Sequence, residues 1–374
     1  MSDRWGVYVH VPWCRVQCAY CAFHVTTGKA SPNPSPWRDG VLAEWAARRP
    51  AFPPAAPATL YLGGGTPSRV DAATLGGLVR EVGATEEVTV EANPEDLDEA
   101  WLEGVIEAGI HRVSVGVQSF SASLRKRLGR AWVDREPLAA LGQVAKSPLR
   151  SWSVDLIFAV PGQTLADLDR ELDALQRIAP PHVALYGLTI EPGTALARAH
   201  ARGQIQAVDD DLWRRLYDRL VERLQAMGLD RYEVSNFARP GHRSVHNQLY
   251  WNDRPYLGLG PAAHSYLPSG ERAVNAPRLP DYLLSPTEPA HREQPDPKQR
   301  FTDTLVSALR SVEGVDLRHL AAHTQLRPSD AAVSALGPLV VHEPSGRLRL
   351  TAEGFPLCDA IVARLAASAI PTTK

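Results

Sequence analysis

The chain has 374 residues, of which 44% are hydrophobic and 22% charged. That is enough for one large domain plus a small one, or two medium ones, and too apolar for a disordered chain. The 40 basic and 42 acidic residues leave a formal net charge of -2, which gives no bulk-charge basis for binding nucleic acid.

Along the chain, strand-like segments alternate with helix-like ones. Short runs rich in Val, Ile, Leu and aromatic residues predict strands at Trp5 to Val11, Thr59 to Leu62, Val88 to Glu91, Arg112 to Val117, Ser153 to Phe158 and His182 to Leu188. Between them, amphipathic spacing predicts helices over Pro36 to Arg49, Asp71 to Val82, Pro94 to Ala108 and Leu165 to Ile178. Six such βα units make a parallel sheet curled into an open or partial barrel, in which ligands sit at the carboxyl ends of the strands. A long helix follows over Asp210 to Met227. An irregular aromatic-rich stretch runs from Tyr232 to Leu267, and the proline-rich Pro277 to Pro297 reads as a linker. From Phe301 helical patterns return, with a hairpin over Val340 to Leu350 around Pro344-Ser345-Gly346 and a last helix near Glu353 to Ala367. The expectation is α/β: a core domain over residues 1–235, an irregular segment and linker over 236–296, and a small winged-helix-like α+β domain over 297–374. The polar start Met1-Ser2-Asp3-Arg4-Trp5 and the lack of 18 consecutive apolar residues argue against a signal peptide and a membrane-spanning helix. A cytoplasmic, reducing compartment is the expectation.

Three of the four cysteines carry the chemistry. Cys14, Cys18 and Cys21 fall within eight residues just after the first predicted strand, while Cys358 stands alone in an apolar helix and reads as a core residue. Three thiolates spaced C-x3-C-x2-C on one loop suit three irons of a [4Fe-4S] cluster, leaving the fourth iron open to a small molecule. Two other readings stand beside this one: a zinc site completed by His10 or His24, and buried thiols that cluster by chance.

The motif and its place resemble the radical S-adenosylmethionine superfamily, which carries this spacing at the end of the first strand of a partial (β/α)6 barrel. Further segments resemble the oxygen-independent coproporphyrinogen III oxidase-like family. They are Tyr61-Leu-Gly63-Gly64-Gly65-Thr66-Pro67, Glu91-Ala-Asn93-Pro94, Arg112-Val-Ser114-Val-Gly116-Val-Gln118, Asp155-Leu-Ile157, Leu185-Tyr186, Tyr232-Glu233-Val-Ser235-Asn236-Phe237-Ala238 and His246-Asn247-Gln-Leu-Tyr250-Trp251. The resemblance implies a [4Fe-4S] cluster on Cys14, Cys18 and Cys21, with S-adenosyl-L-methionine on the open iron. It also implies cofactor contacts from Tyr8, Tyr20, Gly65, Thr66, Glu91, Gln118, Arg130 and Asp155. Residue chemistry agrees: glycines without Cβ let a backbone approach, Glu91 can accept from a ribose hydroxyl, and Arg130 can pair with a carboxylate.

Two departures separate the chain from the oxidase. The oxidase carries a fourth cysteine where Phe23 stands here, and an arm before its first strand. Both departures match a second group in the same family, the heme chaperones. In that group the H-N-x-x-Y-W stretch is linked to heme, which makes His246 the expected heme ligand and His264 the weaker second; from the residues alone the stretch reads first as a capped turn with two core aromatics, and the resemblance reverses that order. The expected partners are heme and a heme-accepting respiratory protein, met through peripheral membrane contact, with no nucleic acid. The oxidase reaction and a structural zinc protein are the alternatives.

Overall fold

A computed structural model describes residues 4–30, 32–130 and 136–372; residues 1–3, on which the expectation about a signal peptide rests in part, lie outside these. Six parallel strands stand side by side in chain order: β1 (Gly6–Val11), β2 (Thr59–Gly64), β3 (Glu87–Ala92), β4 (Arg112–Gln118), β5 (Ser151–Phe158) and β6 (His182–Gly187). All six lie where the apolar runs predict them. Alternate residues on the face toward the helices are fully buried, as in Val7, Val9, Leu60, Leu62, Val113 and Val115.

The covering helices begin and end on local signals. The first is α1 (Ser35–Arg48). Asp71 caps α2 (Ala72–Val82) by accepting from the Thr74 N–H, and Gly83 ends it in the left-handed region. The helix expected from Pro94 starts later: Pro94–Asp96 is a 3₁₀ turn, and α3 (Glu99–Glu107) opens where the Asp98 side chain accepts from the Trp101 N–H. Short helices α4 (Ala122–Arg127), α5 (Pro137–Lys146) and α7 (Ala195–Ala201) go beyond the sequence expectation. Between them, α6 (Leu165–Ile178) starts on a Thr164–Asp167 capping box, and α8 (Asp210–Ala226) follows.

Residues 236–296 differ most from expectation, for they extend the sheet. The edge strands β7 (Asp230–Arg231) and β8 (Asn236–Ala238) add beyond β6. On the other side β9 (Tyr256–Leu259) pairs parallel with β1, followed by β10 (His264–Tyr266), β11 (Arg272–Val274) and β12 (His291–Glu293). The proline-rich stretch is anchored. It contains α10 (Leu279–Leu284), and the buried Glu44 of α1 accepts from the Tyr282 hydroxyl at 2.8 Å, Asn275 Nδ2 at 2.7 Å and the Gly260 N–H at 2.9 Å, while pairing with Arg48. Between β8 and β9, α9 (Val245–Trp251) carries the H-N-x-x-Y-W residues.

The C-terminal part has its own core of Phe301, Leu305, Leu309, Leu348, Cys358 and Leu365. Here α11 (Pro297–Leu309), α12 (Leu317–Thr324), α13 (Asp330–Ser334) and α14 (Cys358–Ala367) surround the expected hairpin, Val340–His342 with Arg347–Leu350.

Candidate functional site

The loop after β1 carries the three cysteines, and backbone bonds from distant elements hold it. The Ala19 N–H donates to the Leu128 carbonyl at 3.0 Å, and the Leu196 N–H donates to the Ala19 carbonyl at 2.8 Å. Gly129 makes the first contact feasible: it has φ +75, and a Cβ there would stand 2.7 Å from the Ala19 nitrogen. Cys14, Cys18 and Cys21 are half-buried on the wall of a cavity of about 570 Å³ at the carboxyl ends of the strands. Burial pushes the Cys14 thiol up to about 11 and raises Cys18 and Cys21 as well, so metal ligation must displace their protons.

This donor set fits a cluster better than a single ion. Among the described residues, no three His, Cys, Asp or Glu side chains gather closely enough to hold one metal ion, as mononuclear zinc requires. A cubane asks less, since each thiolate binds a different iron. His10 is buried, with its Nδ1 3.1 Å from the Tyr8 hydroxyl and its Nε2 without a partner among the described residues.

The strand ends supply the rest of the wall. Gly64 has φ +109, and a Cβ on Gly65 would stand 2.7 Å from the Trp13 carbonyl oxygen, so this turn packs directly on the cysteine loop. At the end of β3, Glu91 accepts from the Tyr61 hydroxyl at 2.8 Å and from the Gly64 N–H at 3.1 Å. Burial pushes its carboxyl up to about 7, opposed by the Tyr61 bond and reinforced by the Asp155 charge. Asp155 on β5 accepts from Ser114 Oγ at 2.9 Å and Ser153 Oγ at 2.8 Å, and burial lifts it to about 6 against those bonds. Gln118 ends β4 at φ +66, where the pairing with β5 slips between Gly116 and Gln118; such a bulge re-aims a side chain, here into the cavity.

Arg130 is 4% exposed and donates from Nη2 to Asn93 Oδ1 at 2.6 Å. Asn93 Nδ2 donates to Thr66 Oγ1 at 3.3 Å, and Thr66 Oγ1 donates to Cys14 Sγ at 3.4 Å. One polar chain thus runs from the arginine to a cysteine. Among the described residues the Arg130 Nε has no partner, which leaves a buried donor for a ligand.

Of the residues expected to share a site, Tyr20, Gly65, Thr66, Glu91, Gln118, Arg130, Asp155 and the three cysteines line this one cavity. Tyr8 does not; its ring lies beneath the wall, stacked 6.2 Å from Tyr61. His246 does not either. It sits in the first turn of α9, 1% exposed, with Nδ1 2.7 Å from Thr59 Oγ1 and Nε2 2.7 Å from the Tyr250 hydroxyl. Thr59 opens β2, so His246 packs at the end of the barrel opposite the cysteines, and the irregular stretch expected around it is, at this point, a buried helix. The reason is local: Ser244 caps α9, and Glu87 at the start of β3 accepts from the Val245 and His246 N–H groups at 3.0 Å. His264 is exposed on β10. The sequence reading missed Ser114 and Tyr186 as cavity residues, and did not assign Asn93 although its motif was quoted. Ser114 was legible, because it alternates with Gly116 and Gln118 on one face of β4.

The radical SAM superfamily model matches residues 8–175. The heme chaperone HemW of Mycobacterium tuberculosis (strain ATCC 25618 / H37Rv) is 35% identical over 376 residues, covering 97% of this chain and 95% of that protein. The heme chaperone HemW of Synechocystis sp. is 32% identical, over 86% of this chain and 81% of that one. Danio rerio has a radical S-adenosyl methionine domain-containing protein 1, mitochondrial, that is 29% identical over 96% and 86%. Among solved structures, coproporphyrinogen III oxidase (HemN) from Escherichia coli, a radical SAM enzyme, superimposes with a TM-score of 0.81 over 97% of this chain and 90% of that one, at 19% identity. At that identity the likeness shows the fold alone.

Proposed function

Because this chain belongs to the radical S-adenosylmethionine superfamily and, within it, to the family of the HemW heme chaperones, we propose that it is itself a heme chaperone. It binds a [4Fe-4S] cluster through Cys14, Cys18 and Cys21, holds S-adenosylmethionine in the adjoining cavity, and carries heme to an acceptor protein. The observation that carries this reading is the identity to heme chaperones along nearly the whole chain, 35% over 97% of it. The site supports it: three cysteines and seven of the eight expected cofactor residues share one cavity.

Each wall residue has a task there. Glu91 and Asp155 present buried carboxylates to hydroxyl or ammonium donors, Arg130 presents a guanidinium to a carboxylate, and Gly65 keeps the wall open for backbone contact. When bound, the cluster supplies the electron that radical SAM chemistry draws on. Where the oxidase has a fourth cysteine, Phe23 stands 61% exposed at the cavity mouth, which disfavours the oxidase reading. His246 reaches heme iron only if its bonds to Thr59 and Tyr250 open first. Among the described residues no helix is long and apolar enough to cross a membrane, so a membrane-bound acceptor would be met at its surface, from the cytoplasm.

The test uses the anaerobically reconstituted protein with heme and with coproporphyrinogen III. Stoichiometric heme binding, passage of that heme to an apo-acceptor and no conversion of coproporphyrinogen are expected. Steady formation of protoporphyrinogen IX would replace this reading with the oxidase.

A further inference from the structure

Tyr61 lies between two features described separately above. Its hydroxyl donates to Glu91 Oε1 at 2.8 Å in the cofactor cavity. Its ring stacks on the His246 imidazole, with centroids 5.0 Å apart and planes 28° from parallel. That imidazole is locked in turn, bonded to Thr59 through Nδ1 and to Tyr250 through Nε2. On its other side the Tyr61 ring stacks against Tyr8. The phenol therefore has one available direction, toward Glu91. The other carboxylate oxygen is held by the Gly64 N–H, so the Tyr61 bond is the side-chain contact that orients Glu91.

We propose that Tyr61 is a positioning residue for the cofactor site, seated by His246, so that the H-N-x-x-Y-W helix supports Glu91 from beneath. The proposal rests on the assignment of the cavity to S-adenosylmethionine. It gives the buried histidine a task without a free nitrogen: His246 sets the height and tilt of Tyr61, and Tyr61 sets the carboxylate. A variant at His246 then weakens cofactor binding even though its side chain lies outside the cavity.

The carboxylate form of Glu91 accepts ribose hydroxyls, and a donated phenol bond favours that form. Other titratable groups face Glu91: Tyr8 from β1, Asp155 from β5, Tyr186 from β6 and Tyr250 from α9. Asp155 takes its own bonds from Ser114 and Ser153, so loss of the Tyr61 hydroxyl acts on Glu91 alone. Removing a hydrogen bond to a charged group makes ionisation harder by roughly one pH unit.

The experiment measures S-adenosylmethionine affinity of cluster-loaded protein from pH 5.5 to 9 for wild type, Tyr61→Phe and His246→Leu. Iron content serves as the control for folding. Wild-type affinity should rise with pH through the Glu91 titration. Tyr61→Phe should keep its iron, bind about fivefold more weakly near pH 7, move the midpoint up by roughly one unit and converge with wild type at high pH. His246→Leu should shift the midpoint in the same direction, and the double variant should bind no more weakly than the weaker single one. An unchanged midpoint in Tyr61→Phe, or a loss equal at every pH, overturns the positioning role. Normal binding by His246→Leu overturns the seat. Absence of binding by wild-type protein with an intact cluster overturns the cofactor assignment itself, a different failure.

Discussion

Replacing Asp155 by asparagine should stabilise the metal-free protein at alkaline pH while abolishing S-adenosylmethionine binding. Burial lifts this carboxyl from 3.8 to about 6 despite the hydroxyls of Ser153 and Ser114. A carboxyl that titrates higher in the folded than in the unfolded chain holds its proton more tightly when folded. Its contribution to stability is therefore greatest below about pH 4 and is lost as pH rises to about 6. Each pH unit between the two titrations is worth about 1.4 kcal/mol. The ionised Asp155 thus costs about 3 kcal/mol at pH 8, and about half of that at pH 5. Asparagine keeps the shape and never ionises. With an unfolding entropy of about 2.1 cal/mol/K per residue, 3 kcal/mol corresponds to about 4 °C in Tm for a chain of this length. Anaerobic melting of metal-free wild type and Asp155→Asn at pH 5 and pH 8 reads the difference. An asparagine variant that melts lower at pH 8, or gains equally at both pH values, would refute the reasoning.

Cys14→Ala, Cys18→Ala and Cys21→Ala should each abolish a cluster of about four irons, measured by iron content and visible absorption. Cys358→Ala should retain the iron and lose about 1 kcal/mol of stability by urea unfolding, because its thiol is packed 3% exposed in the C-terminal core. His246→Ala should lower stability by about 3 kcal/mol, since it leaves the Thr59 and Tyr250 hydroxyls buried without their partner. A His246→Ala protein that melts with wild type would contradict its placement at the barrel base.

The barrel was legible because its code is local. Each of β1 to β6 is a short apolar run bounded by polar or glycine residues, and Asp71 and Thr164 stand at the expected helix starts, whereas Asp98 lies inside the helix expected from Pro94. The cavity wall was legible through its motifs, since each lies at or just after a strand end and a parallel barrel gathers its strand ends. What lay beyond reading is non-local. Tyr256–Leu259 becomes a strand by pairing with β1 across about 250 residues, and nothing in those four residues names that partner. The proline-rich stretch looked like a linker because Glu44, which anchors it, is far away in sequence. His246 was assigned by its motif, and the motif does not say that Thr59 and Tyr250 occupy both ring nitrogens.

The pinning of the cysteine loop has a consequence for how the protein is made. Its thiols emerge early from the ribosome, yet the backbone partners of Ala19 are Leu128 and Leu196. At about 5–20 residues per second, the roughly 175 residues from Cys21 to Leu196 take about 10–35 s to translate. Through that interval three neighbouring thiols exist on a nascent segment without the scaffold that arranges them. The backbone bonds that pin the loop therefore form only after Leu196 has been made, and the three thiols lack that support until then.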